Sequence, residues 1–354
     1  MENRPARPSP ERRLREGIMK ICIIGAGAIG GLMGAKLALS GEEVTVVDQG
    51  RHLKAIQENG LKLIWEDGTE FVAEVAKATD KVEDAGEQDL IILSIKAHYL
   101  EQVARRIPAI VGPDTMIVTV QNGIPWWYFH KHSGEFEGRR LESLDPDGVL
   151  SKHIDGDKII GCVVYPAAGV ESPGVIRHVE GDRFPVGELD GSESERVRKL
   201  HDTLVNAGFR SRILDDIRSE IWLKAWGNLS FNPISALTHA TLVDICQFRE
   251  TRALAETMMR EAQEIAENLG ITFRHTIEKR IAGAESVGSH KTSMLQDVEA
   301  GRSLETEALI GAILELGKMT ETPAPAIEAV YACVKLLNKV MVLEGAGVRI
   351  SDAA

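Results

Sequence analysis

The sequence predicts an α/β domain with a predominantly parallel sheet, followed by an all-α domain. Three observations carry that prediction. Short apolar runs alternate with helix-length segments through the first half: KICII at 20–24, VTVV at 44–47, LIILS at 90–94, MIVTV at 116–120 and IIGCVV at 159–164. A glycine-rich turn, GAGAIG at 25–30, joins the first run to the first helical segment. From about Ile213 the chain changes to long stretches of helical spacing, with apolar stripes at 253–269, 304–318 and 326–342. Strands alternating with helices build a right-handed βαβ sheet, whereas unbroken helical stripes bury one another.

After Lys20 the first run is apolar and ends at glycine, so it reads as a buried strand. Residues 28–40 follow as a helix, closed by Gly41 in the C-cap role. The β-branched 44–47 segment is the second strand. Residues 100–107, ending before Pro108, serve as a short crossover helix. The charged stretch 129–156 breaks the rhythm and reads as a surface excursion. The expected domains are therefore a disordered extension at 1–18, a dinucleotide-binding domain at 19–212 and a helical substrate domain at 213–354.

The 354 residues carry a net charge of -12, with 44% hydrophobic and 27% charged residues. Such a balance excludes a wholly disordered chain and argues against a general nucleic-acid binder, which needs clustered Lys and Arg. Four scattered cysteines without a CxxC pair argue against a disulfide scaffold or zinc finger. The ten histidines form no HExxH, so no metal is assigned. The longest uncharged apolar stretch, 21–35, is shorter than the roughly 18–20 residues that span a bilayer, and its five glycines make a poor signal-peptide core. The expectation is a cytoplasmic protein with a small-molecule substrate, no membrane or nucleic-acid partner, and a homodimer left open.

GAGAIG is a complete GxGxxG placed directly after a strand and opening a helix. Gly25 permits the tight turn, Gly27 lets a pyrophosphate approach the backbone, and Gly30 lets helix and strand pack closely. Ala26, Ala28 and Ile29 contribute backbone to the same loop, whose helix N-terminus favours anionic phosphate. This is the fingerprint of a Rossmann domain binding NAD(P)H. Asp48, at the end of the second strand, can accept hydrogen bonds from an adenosine ribose and would repel a 2′-phosphate, which favours NAD(H) over NADP(H). Arg51 and His52 stand near enough to serve a 2′-phosphate instead, and Asp48 can also be read as the start of a turn before Gly50.

Outside the fingerprint the most informative segment is WLKAWGNLSFNP at 222–233. Spacings of four and eight residues keep Lys224, Asn228 and Asn232 on one broad helix face among apolar neighbours. Together with SIKA at 94–97, QNG at 121–123, SMLQD at 293–297 and GRSLETE at 301–307, this segment resembles the 2-dehydropantoate 2-reductase (ketopantoate reductase) family over about residues 20–337.

The resemblance implies a 6-phosphogluconate-dehydrogenase-like architecture with the active site in the cleft between its domains. It implies that Lys224 is the general acid and that Glu305 is the family's catalytic carboxylate. Asn228, Asn232 and Ser293 would hold the substrate's hydroxyl and carboxylate, while Asn122 and Lys96 would face the cofactor or orient the lysine. The reaction implied is nicotinamide-dependent reduction of 2-dehydropantoate to (R)-pantoate. Hydride delivered to a ketone leaves an alkoxide, and an ammonium supplies both the proton and the positive charge it needs.

Other readings stay open on the residues themselves. Ser293 can cap a helix starting at Met294, Glu305 can be an ordinary first-turn acid, and Lys96 can be solvated. Trp126, Trp127 and Tyr128 either line a substrate pocket or pack beneath a loop. NADP-type members of the family carry an arginine just after the second strand, where this chain has VDQ at 47–49. Two further functions remain: an NAD-dependent dehydrogenase of another 2-hydroxy acid or secondary alcohol, and a non-catalytic nicotinamide-binding redox sensor.

Overall fold

The computed structural model describes residues 17–348, so nearly all of the expected extension at 1–18 lies outside the described residues. The chain folds into two units. The first takes the chain through Gln121 together with Phe129–Arg140 and Asp147–Ile217; the second takes Asn122–Tyr128, Leu141–Pro146 and everything from Arg218.

The first unit holds two sheets. One is seven-stranded, from β1 (Lys20–Ile24), β2 (Glu43–Val47), β5 (Lys77–Thr79), β6 (Gln88–Leu93), β7 (Val111–Thr119), β8 (Ile159–Cys162) and β11 (Val186–Gly187). Its order is β11-β8-β7-β6-β1-β2-β5, and every pairing is parallel except β11 with β8. The other sheet has four strands, β3 (Leu61–Ile64), β4 (Glu70–Ala73), β9 (Ala167–Ser172) and β10 (Val175–Glu180), in the order β4-β3-β10-β9. The first sheet fulfils the expected parallel architecture. The second has no counterpart in the sequence reading.

Helix α1 (Ala28–Leu39) explains why both sheets are needed. Its sequence is apolar on nearly all sides, as suits a helix with no solvent face. Gly31 lies so close to Ile176 of β10 that a Cβ there would stand 2.6 Å from the isoleucine. One turn on, Gly34 approaches Ile23 of β1. The helix is thus sandwiched, and one core joins Ile21, Ile23, Leu90 and Ile92 of the large sheet to Leu61, Leu63 and Ile176 of the small one. Among the described residues, α2 (Gly50–Asn59), α3 (Leu100–Ala104), α4 (Val149–His153) and α5 (Glu195–Asn206) complete the unit. The expected crossover helix at 100–107 is shortened to α3, and the chain continues as a 3-10 turn at Ile107–Ile110 around Pro108.

Residues 129–156 keep most of their charged side chains at the surface, Asp145 being buried, and are fastened inside by Phe129, Val149, Leu150 and Ile154, all buried. His130 and Lys131 both bind Asp157, and the hydrogen bond from Lys131, followed by that from His130, holds this carboxyl below its ordinary range. The first unit also runs five residues past the expected boundary at 212. The reason is pairing: Ile213 bridges Val186, the Leu214 amide donates to the Val186 carbonyl, and Ile217 packs at Gly187.

The second unit is helical, from α6 (Ile217–Thr238), α7 (Leu242–Gln247), α8 (Arg249–Asn268), α9 (Ile277–Ser286), α10 (Ser293–Glu299), α11 (Ala312–Met319) and α12 (Pro325–Glu344). A π-helical turn at Glu307–Gly311 leads into α11.

The four thiols are all unpaired, with Cys22, Cys162 and Cys246 buried and Cys333 exposed. Burial pushes the Cys22 thiol up to about 12, so it stays protonated and unreactive at neutral pH. The native protein should therefore react quickly at Cys333 alone, and the denatured chain at all four sites. Mass spectrometry after brief alkylation checks this; rapid labelling of Cys22 would contradict the packing around β1.

Candidate active site

In the first unit the strand order reverses at β1, which pairs with β2 on one side and β6 on the other. The carboxyl ends of β1 and β6 therefore form the crevice where doubly wound sheets bind ligands. The glycine loop sits there. Gly25 has φ +93°, and a Cβ on it would meet Ile95 at 2.5 Å. Gly30 would meet the Gly25 carbonyl oxygen at 2.0 Å and Ser94 Oγ at 2.3 Å. Gly27 differs: nothing lies within 4 Å of its Cβ position. Two glycines are thus demanded by packing, and the third leaves bare backbone beside open space.

Gly27 begins α1 without any side-chain cap, so the first-turn amides that follow, beginning at Ala28 and Ile29, remain for an anion. These residues fit a dinucleotide pyrophosphate. Lys96 follows Ser94 at the end of β6, half-buried at the same crevice. Gln121 braces that edge by donating to the carbonyls of Leu93 and Ile95 at 2.7 and 2.9 Å.

Asp48 is both a recognition candidate and a fastener. Its Oδ2 accepts the Ala26 amide at 2.6 Å, and its Oδ1 accepts the Gln49 amide at 2.7 Å. Each oxygen keeps a second lone pair for a ribose. His52 is committed as well. Its Nδ1 accepts the Gly174 amide at 3.0 Å, which leaves Nε2 to donate to the Ala26 carbonyl at 2.8 Å. It is therefore a neutral clamp on the glycine loop rather than a cation for a 2′-phosphate.

In the second unit α6 presents Lys224. Trp222 and Trp226 lie two residues before and after it, so each points about 160° away from it around the helix. Both indoles are fully buried. Trp222 Nε1 donates to the Tyr128 hydroxyl at 2.7 Å; Trp226 Nε1 donates to the Met259 carbonyl at 3.0 Å and its ring stacks on Phe273. The back of the helix is fixed in this way, which turns Lys224, Asn228 and Asn232 to the opposite side. Of the aromatics at 126–128, all three are buried, and Tyr128 is packing against Trp222.

Lys224 Nζ donates to Asn122 Oδ1 at 2.5 Å. Asn228 Nδ2 is buried without a hydrogen-bond partner among the described residues, and Asn232 is 6% exposed. A buried amide donor left unsatisfied costs about 1–3 kcal/mol, which a ligand oxygen would recover.

The Asn122 loop rests on the segment carrying Glu305. The Ile124 amide donates to the Ala308 carbonyl at 2.9 Å, and Gly123, at φ +90°, lies where a Cβ would be 2.1 Å from that oxygen. Glu305 stands half-buried at the helix start, its carbonyl accepting the Leu309 amide at 3.2 Å. Ser293 is not a cap. The cap is Thr292, whose hydroxyl accepts the Leu295 amide at 3.3 Å, so Ser293 is the first helical residue and its exposed hydroxyl is not used in capping. The structure thus joins Lys224 directly to Asn122 and seats their loop one turn from Glu305. Ser293 stands on a separate element.

Among the described residues no helix is long and apolar enough to cross a membrane, and no group of three His, Cys, Asp or Glu could hold a metal ion.

Comparison with known proteins supplies the family. The model for ketopantoate reductase PanE/ApbA matches residues 21–191, and that for the C-terminal part of ketopantoate reductase PanE/ApbA matches 216–338. The chain belongs to the ketopantoate reductase family. It is an oxidoreductase acting on CH–OH groups. It is 53% identical over 320 residues to a 2-dehydropantoate 2-reductase of Mesorhizobium japonicum, covering 90% of this chain and 98% of that protein. A crystal structure from Ralstonia solanacearum MolK2, proposed to be a ketopantoate reductase, superposes with TM-score 0.87 at 37% identity, covering 92% and 99% of the two chains. A ternary structure of D-mandelate dehydrogenase with NADH and anilino(oxo)acetate superposes with TM-score 0.79 at 26% identity, covering 92% and 99%.

Proposed function

We propose that this member of the ketopantoate reductase family reduces a 2-oxo acid to its 2-hydroxy acid, with 2-dehydropantoate as substrate and Lys224 as general acid. The observation that carries the reading is Lys224, held by Asn122 on a helix face shared with the unsatisfied amide of Asn228. The 53% identity to a 2-dehydropantoate 2-reductase supports the substrate. A reduced nicotinamide, when bound, supplies the hydride that the ketone carbon takes up.

The chain's own residues do the rest. Asn122 Oδ1 accepts from Lys224 Nζ and fixes the direction of the ammonium toward the substrate oxygen. As that oxygen becomes an alkoxide, Lys224 first stabilises its charge and then transfers a proton from Nζ. Asn228 and Asn232 donate neutral hydrogen bonds that orient the substrate, Ser293 adds a hydroxyl, and Glu305 balances the ammonium. The glycine loop from Gly25 to Gly30 carries the pyrophosphate, with Lys96 at its crevice and Asp48 on the adenosine ribose.

Asp48 and the likeness to an NADH-bound D-mandelate dehydrogenase favour a second reading, NAD-linked interconversion of another 2-hydroxy acid with its ketone. Steady-state oxidation of NADH and NADPH with 2-dehydropantoate separates the two. A kcat/KM of roughly 10⁴ M⁻¹s⁻¹ or more supports the first reading; absent turnover there, with NAD-dependent oxidation of other 2-hydroxy acids, supports the second. Asp48→Ala is expected to shift the NADH-to-NADPH ratio of kcat/KM about tenfold toward NADPH, equivalent to ~1.4 kcal/mol. Binding of both should weaken as well, because the Ala26 amide loses its acceptor. An unchanged ratio would leave Asp48 as a loop fastener and nothing more.

A further inference from the structure

The helix that supports the Asn122 loop is irregular at Glu307–Gly311. In a regular α-helix the Ala312 amide would donate to the Ala308 carbonyl, four residues back. Here it donates to the Glu307 carbonyl, five residues back, which makes the turn π-helical. The Ala308 carbonyl accepts the Ile124 amide at 2.9 Å, and Gly123 lies against the same oxygen. These two residues follow Asn122 directly, and Asn122 Oδ1 accepts from Lys224 Nζ at 2.5 Å. The π-turn is thus two short steps of structure away from the ammonium.

Such turns are uncommon and recur at functional sites. This one is held from α12. The Glu307 carboxylate folds back over Gly311, where a Cβ would stand 2.3 Å from Oε2 and 3.3 Å from the Tyr331 hydroxyl oxygen. That hydroxyl lies 2.8 Å from both carboxylate oxygens and donates to them. Lys335, one turn further along α12, donates to the hydroxyl at 2.8 Å and pairs with Glu307 Oε1 at 3.1 Å. Burial, above all, holds the Tyr331 hydroxyl above its ordinary value despite the opposing bond from Lys335, so it stays a neutral donor.

We infer that Glu307 is a positioning residue for the reaction: clamped by Tyr331 and Lys335, it sets the π-turn whose Ala308 carbonyl places Asn122 against Lys224. The inference rests on the reading of Lys224 as general acid. Proton transfer from Nζ requires the ammonium to point at the substrate oxygen, and a misplacement of about 1 Å can cost as much as a hundredfold in rate. Glu307 acts through the Ala308 carbonyl and Asn122 rather than on the substrate. A clamp that only tied α12 to its neighbour would matter for stability and leave the rate of the folded enzyme alone.

The test measures kcat, both KM values and thermal melting with a 2-oxo acid, 2-dehydropantoate first. It compares wild type, Glu307→Ala, Glu307→Gln, Gly311→Ala, Asn122→Ala and the double variant Asn122→Ala/Glu307→Ala. Glu307→Ala is expected to lower kcat about tenfold or more while KM for the dinucleotide stays within about twofold. Glu307→Gln should recover part of the loss, since its amide oxygen still accepts the Tyr331 hydroxyl. Gly311→Ala should slow the enzyme as Glu307→Ala does, because its methyl displaces the carboxylate while every clamp residue stays in the chain. Alanine favours a helix over glycine, so this variant carries the comparison if Glu307→Ala does not fold. Asn122→Ala should be slow by itself, and adding Glu307→Ala should slow it no further, as expected when one residue acts through the other. Wild-type kcat in the folded Glu307 and Gly311 variants overturns the assignment, and so does a double variant in which the two losses multiply. If wild type reduces no 2-oxo acid with either nucleotide, the functional reading has failed and the positioning role falls with it.

Discussion

Replacing Lys224 by alanine is expected to lower kcat by about 10²–10⁴ while nucleotide binding stays near the wild-type value, the loss typical of a missing general acid. The fold should tolerate the change. The indoles of Trp222 and Trp226 fasten α6 from its other side, and Lys224 itself is only half-buried. The group most affected is Asn122, which loses the donor to its Oδ1. A pH profile adds a second readout: an acid must carry its proton, so the decline in kcat on the basic side should disappear in the alanine variant. Lys224→Arg should keep the charge without a transferable proton and remain slow. A Lys224→Ala enzyme with near-normal kcat would remove Lys224 from the mechanism.

The second large effect is expected at Gly30, and it gains meaning beside Gly27. Gly30→Ala would drive a methyl into the Gly25 carbonyl at 2.0 Å and into Ser94, whose hydroxyl already donates to that carbonyl at 2.7 Å. Backbone cannot yield there without α1 moving off β1. A loss of about 3 kcal/mol of stability is expected, together with loss of nucleotide binding. Gly27→Ala faces no such obstacle, since its Cβ would enter open space at an ordinary φ of -62°. Its stability cost should be about 1 kcal/mol, from the poorer helix cap. KM for the dinucleotide should nevertheless rise tenfold or more, because the new methyl stands where the pyrophosphate comes closest. Thermal melts and fluorescence titration of both variants make the comparison. Wild-type affinity in Gly27→Ala would mean that no pyrophosphate lies on this loop.

What the sequence revealed follows from how local each signal is. KICII and GAGAIG announced β1 and α1 because a strand buried on both faces is apolar throughout and a tight turn demands glycine. The four-stranded sheet left no such trace. Its strands β9 and β10 carry exposed residues, and its central pairing joins residues 62–64 to 175–177, which no local pattern encodes. Helix α2 escaped notice because it opens on glycine and is polar on most sides. Around the site the Lys224 face was legible from four-residue spacing, but its bond to Asn122, 102 residues away, was not. Ser293 and Thr292 are equally good caps by residue type, and only the fold shows that Thr292 serves. Asp48 announced a carboxylate without disclosing that both its oxygens already accept amides. The clamp of Tyr331 on Glu307 joins residues 24 positions apart, and ETEALIG at 305–311 reads as ordinary helix rather than a π-helical turn.

The pairing of β3 with β10 also bears on how this chain is made. During synthesis from the N-terminus, residues 61–64 emerge long before residues 175–177, their parallel neighbours. The large sheet waits further still, since β11 is bridged by Ile213. Pairings of such long sequence separation form slowly and leave strand edges exposed meanwhile. A nascent chain stalled near residue 121 would therefore hold a finished glycine turn on an unfinished scaffold, with β3 and β7 each lacking a neighbour. Ribosome-bound chains should acquire protease resistance in one late step, after about residue 217 has left the exit tunnel.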